Sequence, residues 1–283
     1  MKGSLFTEKL TTNLPTNIQT FIRNQNLKVL FKHDLPLLFN KELREKSLNP
    51  STVTEQEQQR LKTKRSDKLE SILRSSCNPK FTKSEREQYL ANNSCKKYYD
   101  EKNQNMKDRG KSLDEPLMYL PGIGDDYFEN ITKSFESPSY DIIVVVNTDN
   151  NKARMDQSVV AFLTTEQSEC KDAENVYTDI PALKLICVSS RNRSKYTSRV
   201  LMYLYLYALK QSNYKYGLLE LAGSYCNLAG LCLYNKFGFR EDISIKTKTC
   251  FPEAETLTMV ADLEEISYEN LEIALTSEKS ENV

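Results

Sequence analysis

The stretch "LKLICVSSRNRSKYTSRVLMYLYLYALKQS", residues 183–212, joins a short apolar run to a long segment with helical periodicity. The run "LKLICV" is typical of a buried strand, and from residue 198 onward apolar side chains recur at the spacing of one helix face. The residues of that face are Val200, Leu201, Leu204, Tyr205, Ala208 and Leu209. The stretch therefore predicts a strand that turns directly into a helix.

Four cations lie at the junction between this strand and this helix: Arg191, Arg193, Lys195 and Arg199. The first amides of a helix have no acceptor within the helix, and the positive end of the helix dipole lies beside them, so such a junction favours an anion. A pyrophosphate is a suitable occupant. A cationic surface turn without a ligand is the alternative interpretation.

The rest of the C-terminal half alternates strands and helices. Apolar, β-branched runs predict strands over residues 140–147, 158–166 and 216–222, and two more near 243–250 and 256–262. The segment "NLAGLCLYNKF" predicts a short helix with Asn227 as N-cap and Gly238 as the left-handed residue beyond its end. The predicted order from residue 140 is β-β-β-α-β-α-β-β.

The first 112 residues have a different pattern, which predicts helices. Ile18, Phe21 and Ile22, followed by Val29 and Leu30, have helical spacing over residues 17–31. Polar segments at residues 54–76 and 83–104 also favour helices. We therefore predict a helical region over residues 1–112, an α/β domain over 113–265, and an acidic C-terminal tail over 266–283 that is mobile at its end.

The net charge of zero conceals an asymmetry between these regions. Residues 1–112 hold 23 Lys and Arg against 13 Asp and Glu, and the remainder holds 16 against 26. A basic half can contact nucleic acid or an acidic partner, but it can equally present solvated faces or attract the acidic half. Because acids interrupt the basic residues, the second interpretation is favoured.

Cysteine and histidine usage limits the chemistry. The seven cysteines form no C-x-x-C pair, so neither a disulfide framework nor a zinc site is expected, and Cys187 and Cys232 are interpreted as small core residues. The single His33 excludes two-His metal motifs, and we expect no metal. No apolar run approaches the roughly 20 residues that span a bilayer, and no signal peptide is evident. We expect a cytoplasmic or nuclear protein without a membrane partner.

Two motifs in this order resemble the signatures of the GNAT superfamily of acyl-CoA-dependent N-acetyltransferases. The family carries R/Q-x-x-G-x-G/A after its fourth strand, and residues 193–198 here read R-S-K-Y-T-S. The second signature, N-x-x-A-x-x-x-Y-x-x-x-G-F, corresponds to Asn227, Gly230, Tyr234, Gly238 and Phe239. The resemblance implies a mixed, mostly antiparallel sheet with flanking helices. It is strong over about 60 residues, and Tyr196 departs from it by standing where the family prefers glycine.

The resemblance also implies a cofactor and its ligands. Acetyl-CoA would be the acyl donor, with the thioester carbonyl held by the backbone N–H of Val188 in a splay between the fourth and fifth strands. The pyrophosphate would be bound by the backbone amides of residues 194–197. The full set of implied cofactor-binding residues is Val188, Arg193, Ser194, Lys195, Tyr196, Thr197, Ser198 and Asn227.

The implied reaction needs an acid and a base. Tyr234 would lie beside the sulfur and donate its phenolic proton to the leaving thiolate, although a half-buried core tyrosine has the same spacing. Glu220 is the candidate base that deprotonates the amine, with Asp179 and Glu166 as alternatives, and each could also be an ordinary surface acid. Ser224 and Tyr225 follow the predicted strand 216–222 and could line an acceptor site.

We therefore expect an N-acetyltransferase that moves an acetyl group from acetyl-CoA to a primary amine by direct attack. The acceptor could be a protein lysine, a protein N-terminus or a small amine. The alternative is a catalytically inactive GNAT-like binding protein whose basic helical half contacts nucleic acid or an acidic partner. Tyr196 is the feature that favours this alternative.

Overall fold

A seven-stranded sheet forms the centre of the molecule. The computed structural model describes residues 5–6, 10, 13–38, 54–76, 87, 91, 104, 140–149, 158–168, 179–189, 192, 196–222, 228–242 and 256–277. The strands are β1 (Leu27–Phe31), β2 (Tyr140–Asn147), β3 (Val159–Gln167), β4 (Pro181–Val188), β5 (Tyr216–Ala222), β6 (Arg240–Glu241) and β7 (Thr256–Asp262). Their order is β1-β2-β3-β4-β5-β7-β6, and the pairing is antiparallel except between β4 and β5. The predicted fold class is confirmed.

Five α-helices flank this sheet in the described part of the chain: α1 (Thr16–Asn24), α2 (Glu55–Ser76), α3 (Thr197–Gln211), α4 (Leu228–Lys236) and α5 (Tyr268–Thr276). A 3-10 helix, Lys32–Leu38, follows β1. The predicted strands over residues 140–147 and 216–222 have the observed bounds, and α3 lies within one residue of its prediction. In each of these elements, the apolar run covers nearly the whole strand or helix, so the ends of the run indicate the ends of the element.

The two faces of the sheet are covered by different helices. On one face, buried residues of α1, α3 and α5 pack with Ile143, Val145 and Leu163 of the sheet. On the other face, Leu69 and Ile72 of α2 join Val144 and Phe162. Alternate residues of β2 and β3 therefore point into two separate cores, as a strand period of two requires.

Helix α3 is more deeply buried than its sequence suggests. Every residue from 200 to 209 is at most 4% exposed, although the periodicity predicts one apolar face. The second face is covered by the segment that precedes α1 and by α5: the Tyr207 hydroxyl donates to the carbonyl of Asn13 at 2.7 Å, and the Tyr207 ring lies 5.4 Å from that of Tyr268. A helix covered on both sides is apolar all round.

The N-terminal region contains a strand where helix was predicted. Helix α1 ends at Asn24, and Asn26 adopts a positive φ of 54°, which turns the chain into β1. Val29 and Leu30 fit a helical period but pair with Val145 and Val144 of β2. The prediction of helix over residues 17–31 is therefore wrong beyond Asn24. The boundary at residue 112 stays a prediction, since residues 105–139 lie outside the described part.

The predicted acidic tail contains a helix that the sequence pattern did not predict. Residues 268–276 form α5, whose N-cap Ser267 accepts a hydrogen bond from the amide of Asn270 at 3.0 Å. Leu271, Ala274 and Leu275 are at most 5% exposed, so they supply a short apolar stripe among the surrounding acids. The end, residues 278–283, lies outside the described residues, as do the predicted strand at 243–250 and nearly all of the predicted helix at 83–104.

Cys187 is buried in β4 as predicted. It is disulfide-bonded, which corrects its interpretation as a plain core thiol. Cys232 of α4 is free and exposed rather than core. Within the described ranges, no helix is long and apolar enough to cross a membrane.

Replacing Leu271 with alanine should lower the free energy of unfolding by about 2–5 kcal/mol, because a buried leucine loses its contacts and leaves a cavity. Ile273 of the same helix is 55% exposed, and Ile273→Ala should change stability by less than about 0.5 kcal/mol. Urea denaturation of both variants measures the difference. Two equally small effects would show that α5 does not pack on the core.

Candidate functional site

The two parallel strands at the centre of the sheet meet at one point only. Leu183 of β4 pairs with Leu219 of β5, and no further pair joins these strands, whereas β3 and β4 share seven pairs. Strand β4 continues for five residues beyond Leu183, and β5 continues for three beyond Leu219. The strands therefore separate towards their carboxyl ends, which leaves a gap in the sheet. This is the splay that the resemblance implies.

The closed end of the gap is held by Tyr205 of α3. Its hydroxyl lies 2.8 Å from the carbonyl oxygen of Pro181 in β4 and 3.1 Å from that of Leu218 in β5. One hydroxyl proton can be donated to only one of them at a time. Burial raises the pKa of Tyr205, so the phenol stays neutral and keeps this proton. The sequence shows Tyr205 only as a core residue.

A β-bulge redirects β4 at the start of the gap. Thr165 pairs with Leu183 and Thr164 with Leu185, so Lys184 is an extra residue on β4. A bulge bends its strand and reverses the faces to which later side chains point. Leu183 accordingly packs on the α3 side, whereas Leu185 packs on the α2 side.

Two backbone amides of β4 are directed into the gap. The amide of Ser189 donates to the carbonyl of Val160 at 2.8 Å, and Val188 is opposite Ala161. In an antiparallel ladder, hydrogen-bonded and non-hydrogen-bonded pairs alternate. Val188 and Ile186 therefore belong to non-hydrogen-bonded pairs, and their peptide groups point away from β3, towards β5. The sequence predicts Val188 for this role, but Ile186, which lies deeper in the gap, was missed.

The N-terminus of α3 lies at the same end of the sheet, since it follows β4 after a short connection. The structure describes no acceptor for the amides of Thr197, Ser198 and Arg199, and the first intrahelical bond runs from Val200 to Tyr196 at 2.9 Å. Of the amides of residues 194–197 that the resemblance implies as pyrophosphate ligands, Thr197 is in this helix start, and the anion site stays a prediction. The predicted ligands Arg193, Ser194 and Lys195 lie outside the described residues, as do Ser224, Tyr225 and Asn227.

The Tyr196 ring is held beside α3. It meets the Phe21 ring of α1 edge-on, with centroids 5.1 Å apart, and the guanidinium of Arg199 lies 5.2 Å from its centroid. Such aromatic contacts contribute about 0.5–1.5 kcal/mol, and an exposed cation–π contact about 0.5–1 kcal/mol. Both contacts lie along the flank of the helix.

Among the described residues, two cations, Arg199 and Lys236, lie near the N-terminus of α3. We call this region, with the first amides of α3, the anion corner. Arg199 also donates to the carbonyl of Ser277 at the end of α5, where a cation is favoured by the helix dipole. The pKa of Lys236, in the last turn of α4, is lowered by its burial and then by the charge of Arg199. Like charges held close together make the corner more attractive to an anion.

The end of α4 fixes the position of Tyr234. The amide of Phe239 donates to the carbonyl of Tyr234 at 3.1 Å, and that of Gly238 donates to Asn235 at 3.1 Å. With Gly238 at φ 85°, these bonds form a Schellman motif. The rings of Phe239 and Tyr234 lie 6.0 Å apart, edge to face. The Tyr-x-x-x-Gly-Phe spacing is therefore the spacing of a helix end, and it orients the tyrosine.

Tyr234 is a buried phenol that lacks a hydrogen-bond partner among the described residues. Its side chain is 6% exposed, and burial alone raises its pKa above the usual value of 10. The hydroxyl therefore remains protonated throughout the physiological pH range. It can serve as a hydrogen-bond donor but not as a base.

The carboxylates predicted as candidate bases lie at different distances from Val188, measured along the strands. Glu166 pairs with Ala182, which is about 20 Å along β4 from Val188, and Asp179 is about 30 Å away at 3.3 Å per residue. Both are farther along the sheet from Val188 than Glu220 is, and as alternatives for the base they stay predictions. Glu220 follows Leu219 directly and is half-buried.

Glu220 faces away from α3. Its neighbours Leu219 and Leu221 belong to the core on the α3 side, whereas Leu218 packs with Ile180 and Ala182 on the opposite side. Side-chain alternation places Glu220 on the side of Leu218. The carboxylate thus lies at the closed end of the gap, on the face opposite the anion corner. Among the described residues, no group of three or more His, Cys, Asp or Glu side chains could hold a metal ion.

Replacing Gly238 with alanine should destabilise the protein by more than about 1 kcal/mol. The φ of 85° disfavours a side chain, and a new Cβ would lie 2.6 Å from Cδ1 of Ile266. Gly230 lies within α4, the helix that Gly238 terminates. Inside a helix, alanine is more stable than glycine by up to about 1 kcal/mol. Gly230→Ala should therefore be neutral or stabilising in thermal denaturation. A Gly238→Ala variant as stable as the parent would contradict this helix end.

No protein-family model matches the sequence, and no curated protein sequence matches it. Among solved structures, an acetyltransferase of the GNAT family from Staphylococcus aureus is 16% identical, over 61% of this chain and 95% of its own, with a TM-score of 0.38. The ribosomal-protein-S18-alanine N-acetyltransferase from Escherichia coli is 15% identical, over 51% and 80%, with a TM-score of 0.34.

A chain of the NatC complex bound to a Gag peptide and CoA is also 15% identical, over 50% of this chain and 82% of its own, with a TM-score of 0.35. At such identities and TM-scores, these matches carry no argument about the fold or the activity of this chain.

Proposed function

We propose that this protein is an N-acetyltransferase that moves an acetyl group from acetyl-CoA to a primary amine. The observation that carries the proposal is the gap between β4 and β5, which opens at the end of the sheet where α3 begins. One elongated ligand can reach both features: its diphosphate binds the first amides of α3, and its arm enters the gap. An acyl-CoA has this shape and charge.

The donor would be held mainly by backbone groups. The amides of Thr197, Ser198 and Arg199 bind the diphosphate, together with the predicted amides of residues 194–196 and the side chain of Arg193. In the gap, the amides of Ile186 and Val188 contact the pantetheine arm and the thioester carbonyl. The negative charge that develops on this carbonyl oxygen makes such a donor worth several kcal/mol. Asn227 remains a predicted cofactor ligand.

The reaction would be a direct attack. The amine nitrogen bonds to the carbonyl carbon, the C–S bond then breaks, and its electron pair leaves on the CoA sulfur. The attacking nitrogen loses its extra proton as the amide forms, and the thiolate takes up one proton, directly or through water, to leave as the thiol. The amine must first be neutral, although a free lysine amine has a pKa of about 10.4. Glu220 accepts the amine proton, directly or through a water molecule, from the face opposite the donor.

Tyr234 would stabilise the departing thiolate. A phenol with a raised pKa is a weaker acid than a thiol, whose ordinary pKa is about 8.5. Complete proton transfer from Tyr234 is therefore unfavourable, and we assign the phenol the role of hydrogen-bond donor to the sulfur. The acceptor class remains a primary amine: a protein lysine, a protein N-terminus or a small amine.

Acetyl-CoA should raise the melting temperature of the intact protein, since a ligand at 100 times its Kd stabilises by about 2.7 kcal/mol. Ser198→Phe, which puts a ring among the first amides of α3, should abolish the shift. Ser212 is the exposed C-cap residue of the same helix, and Ser212→Phe should keep the shift. Differential scanning calorimetry measures all three proteins. No shift with the parent protein would refute the proposed function.

Tyr234→Phe should lower kcat at least about tenfold, with little change in the KM for acetyl-CoA, because it removes a donor needed as the thiolate forms. Since the pKa of Tyr234 is raised, its deprotonation should not reduce kcat below about pH 10. Steady-state kinetics against pH with an amine acceptor measure this.

The matched variant is Glu220→Gln, which should lower kcat/KM at least about tenfold because an amide cannot accept the amine proton. An unchanged kcat in Tyr234→Phe would rule out the role of the phenol. An unchanged kcat/KM in Glu220→Gln would rule out that of the carboxylate.

A further inference from the structure

The residue at the N-cap of α3 poses a steric problem for the proposed donor site. Tyr196 has φ −73° and ψ −4° and directly precedes the amides of Thr197, Ser198 and Arg199. Its Cβ, like every Cβ of a helix, is tilted towards the helix N-terminus. A ring at this position can therefore swing across the amides that would bind the diphosphate.

We propose that Phe21 of α1 is a positioning residue that holds the Tyr196 ring out of the anion corner. Helix α1 would then keep the first amides of α3 accessible to the diphosphate of the donor. The proposal rests on the proposed function. It assigns residues 16–24 a role in donor binding, although the motifs lie entirely in the C-terminal half.

Two contacts hold the Tyr196 ring. Residues three apart are neighbours on one flank of a helix, and the guanidinium of Arg199, in the first turn of α3, is 5.2 Å from the Tyr196 centroid. Phe21 meets the ring from α1 at 5.1 Å with an interplanar angle of 86°. In the proposal, these two contacts keep the ring clear of the first amides of α3.

Phe21 is presented from a well-packed helix. Ile18 and Ile22 of α1 are 1% and 7% exposed. The Asn17 side chain donates to Glu272 of α5 at 2.9 Å. Helix α1 is thus joined to α5 and the main core, and Phe21 has a fixed position relative to α3.

Loss of the Phe21 ring should weaken donor binding only through Tyr196. If the freed ring occupies the anion corner for part of the time, only the remaining fraction of molecules can bind CoA. The apparent Kd then equals the intrinsic Kd divided by that fraction. With contacts of this size, we expect Phe21→Ala to raise the Kd for CoA roughly threefold to tenfold. In a Tyr196→Gly background there is no ring to release, and Phe21→Ala should have no effect on the Kd.

The experiment is a double-mutant cycle on the full chain. Isothermal titration calorimetry with CoA measures the parent protein, Phe21→Ala, Tyr196→Gly and the double variant. Ile22→Val is the control, because it loosens the packing of α1 without touching the Tyr196 ring. Phe21→Leu provides a second variant with a better-filled site if Phe21→Ala folds poorly.

A Phe21 effect that disappears with Tyr196→Gly, together with a Kd for Ile22→Val like that of the parent, supports the proposal. An equal weakening in both backgrounds, or no effect of either Phe21 variant, overturns it. A tenfold or larger gain in affinity from Tyr196→Gly alone also overturns it, because the ring would then already occupy the corner. If no protein in the cycle binds CoA, the proposed function itself fails and this inference fails with it.

Discussion

The arrangement of the site depends on the single contact between β4 and β5. Parallel strands in a continuous sheet satisfy each other's peptide groups along their whole length. Here the pairing stops after Leu183 and Leu219, the bulge at Lys184 bends β4, and Tyr205 bridges the two strands at the closed end. The peptide groups of Ile186 and Val188 are consequently directed into a gap instead of into a ladder.

Helix α3 brings a second binding element to the same end of the sheet. Its burial between the sheet and the α1–α5 layer fixes the direction of its axis, and its first amides lie where β4 ends. At α4, the Schellman motif of Gly238 and Phe239 orients Tyr234. The two sequence motifs thus have distinct physical roles: one begins a helix beside the gap, and the other ends a helix at a fixed tyrosine. In our proposal, Phe21 and Arg199 hold the Tyr196 ring, at 5.1 Å and 5.2 Å from its centroid, so that the first role stays open.

Much of the fold could be predicted from the sequence because its central elements have strong periodicity. The strands at 140–147 and 216–222 and helix α3 were predicted almost to the residue. β1 was missed because Val29 and Leu30 fit both a helical and an extended spacing, and the turn at Asn26 has no glycine. α5 was missed because acids surround its short apolar stripe. Within the site, the roles of Val188 and Tyr234 come from the resemblance and stay predictions, whereas Ile186 and the bulge depend on strand register and have no signal in the motifs. The positions of Glu166 and Asp179 along the sheet likewise depend on register and could not be predicted from their spacing in the sequence.

The central claim is that an acyl-CoA occupies the gap and the corner together. Residue-resolved amide hydrogen exchange, measured with and without CoA, tests it most directly. The account predicts that bound CoA slows exchange at Ile186, Val188 and the first amides of α3, while the amides shared by β2 and β3 are unchanged. Slower exchange confined to other parts of the chain, or no change at either the gap or the helix terminus under saturating CoA, would contradict it.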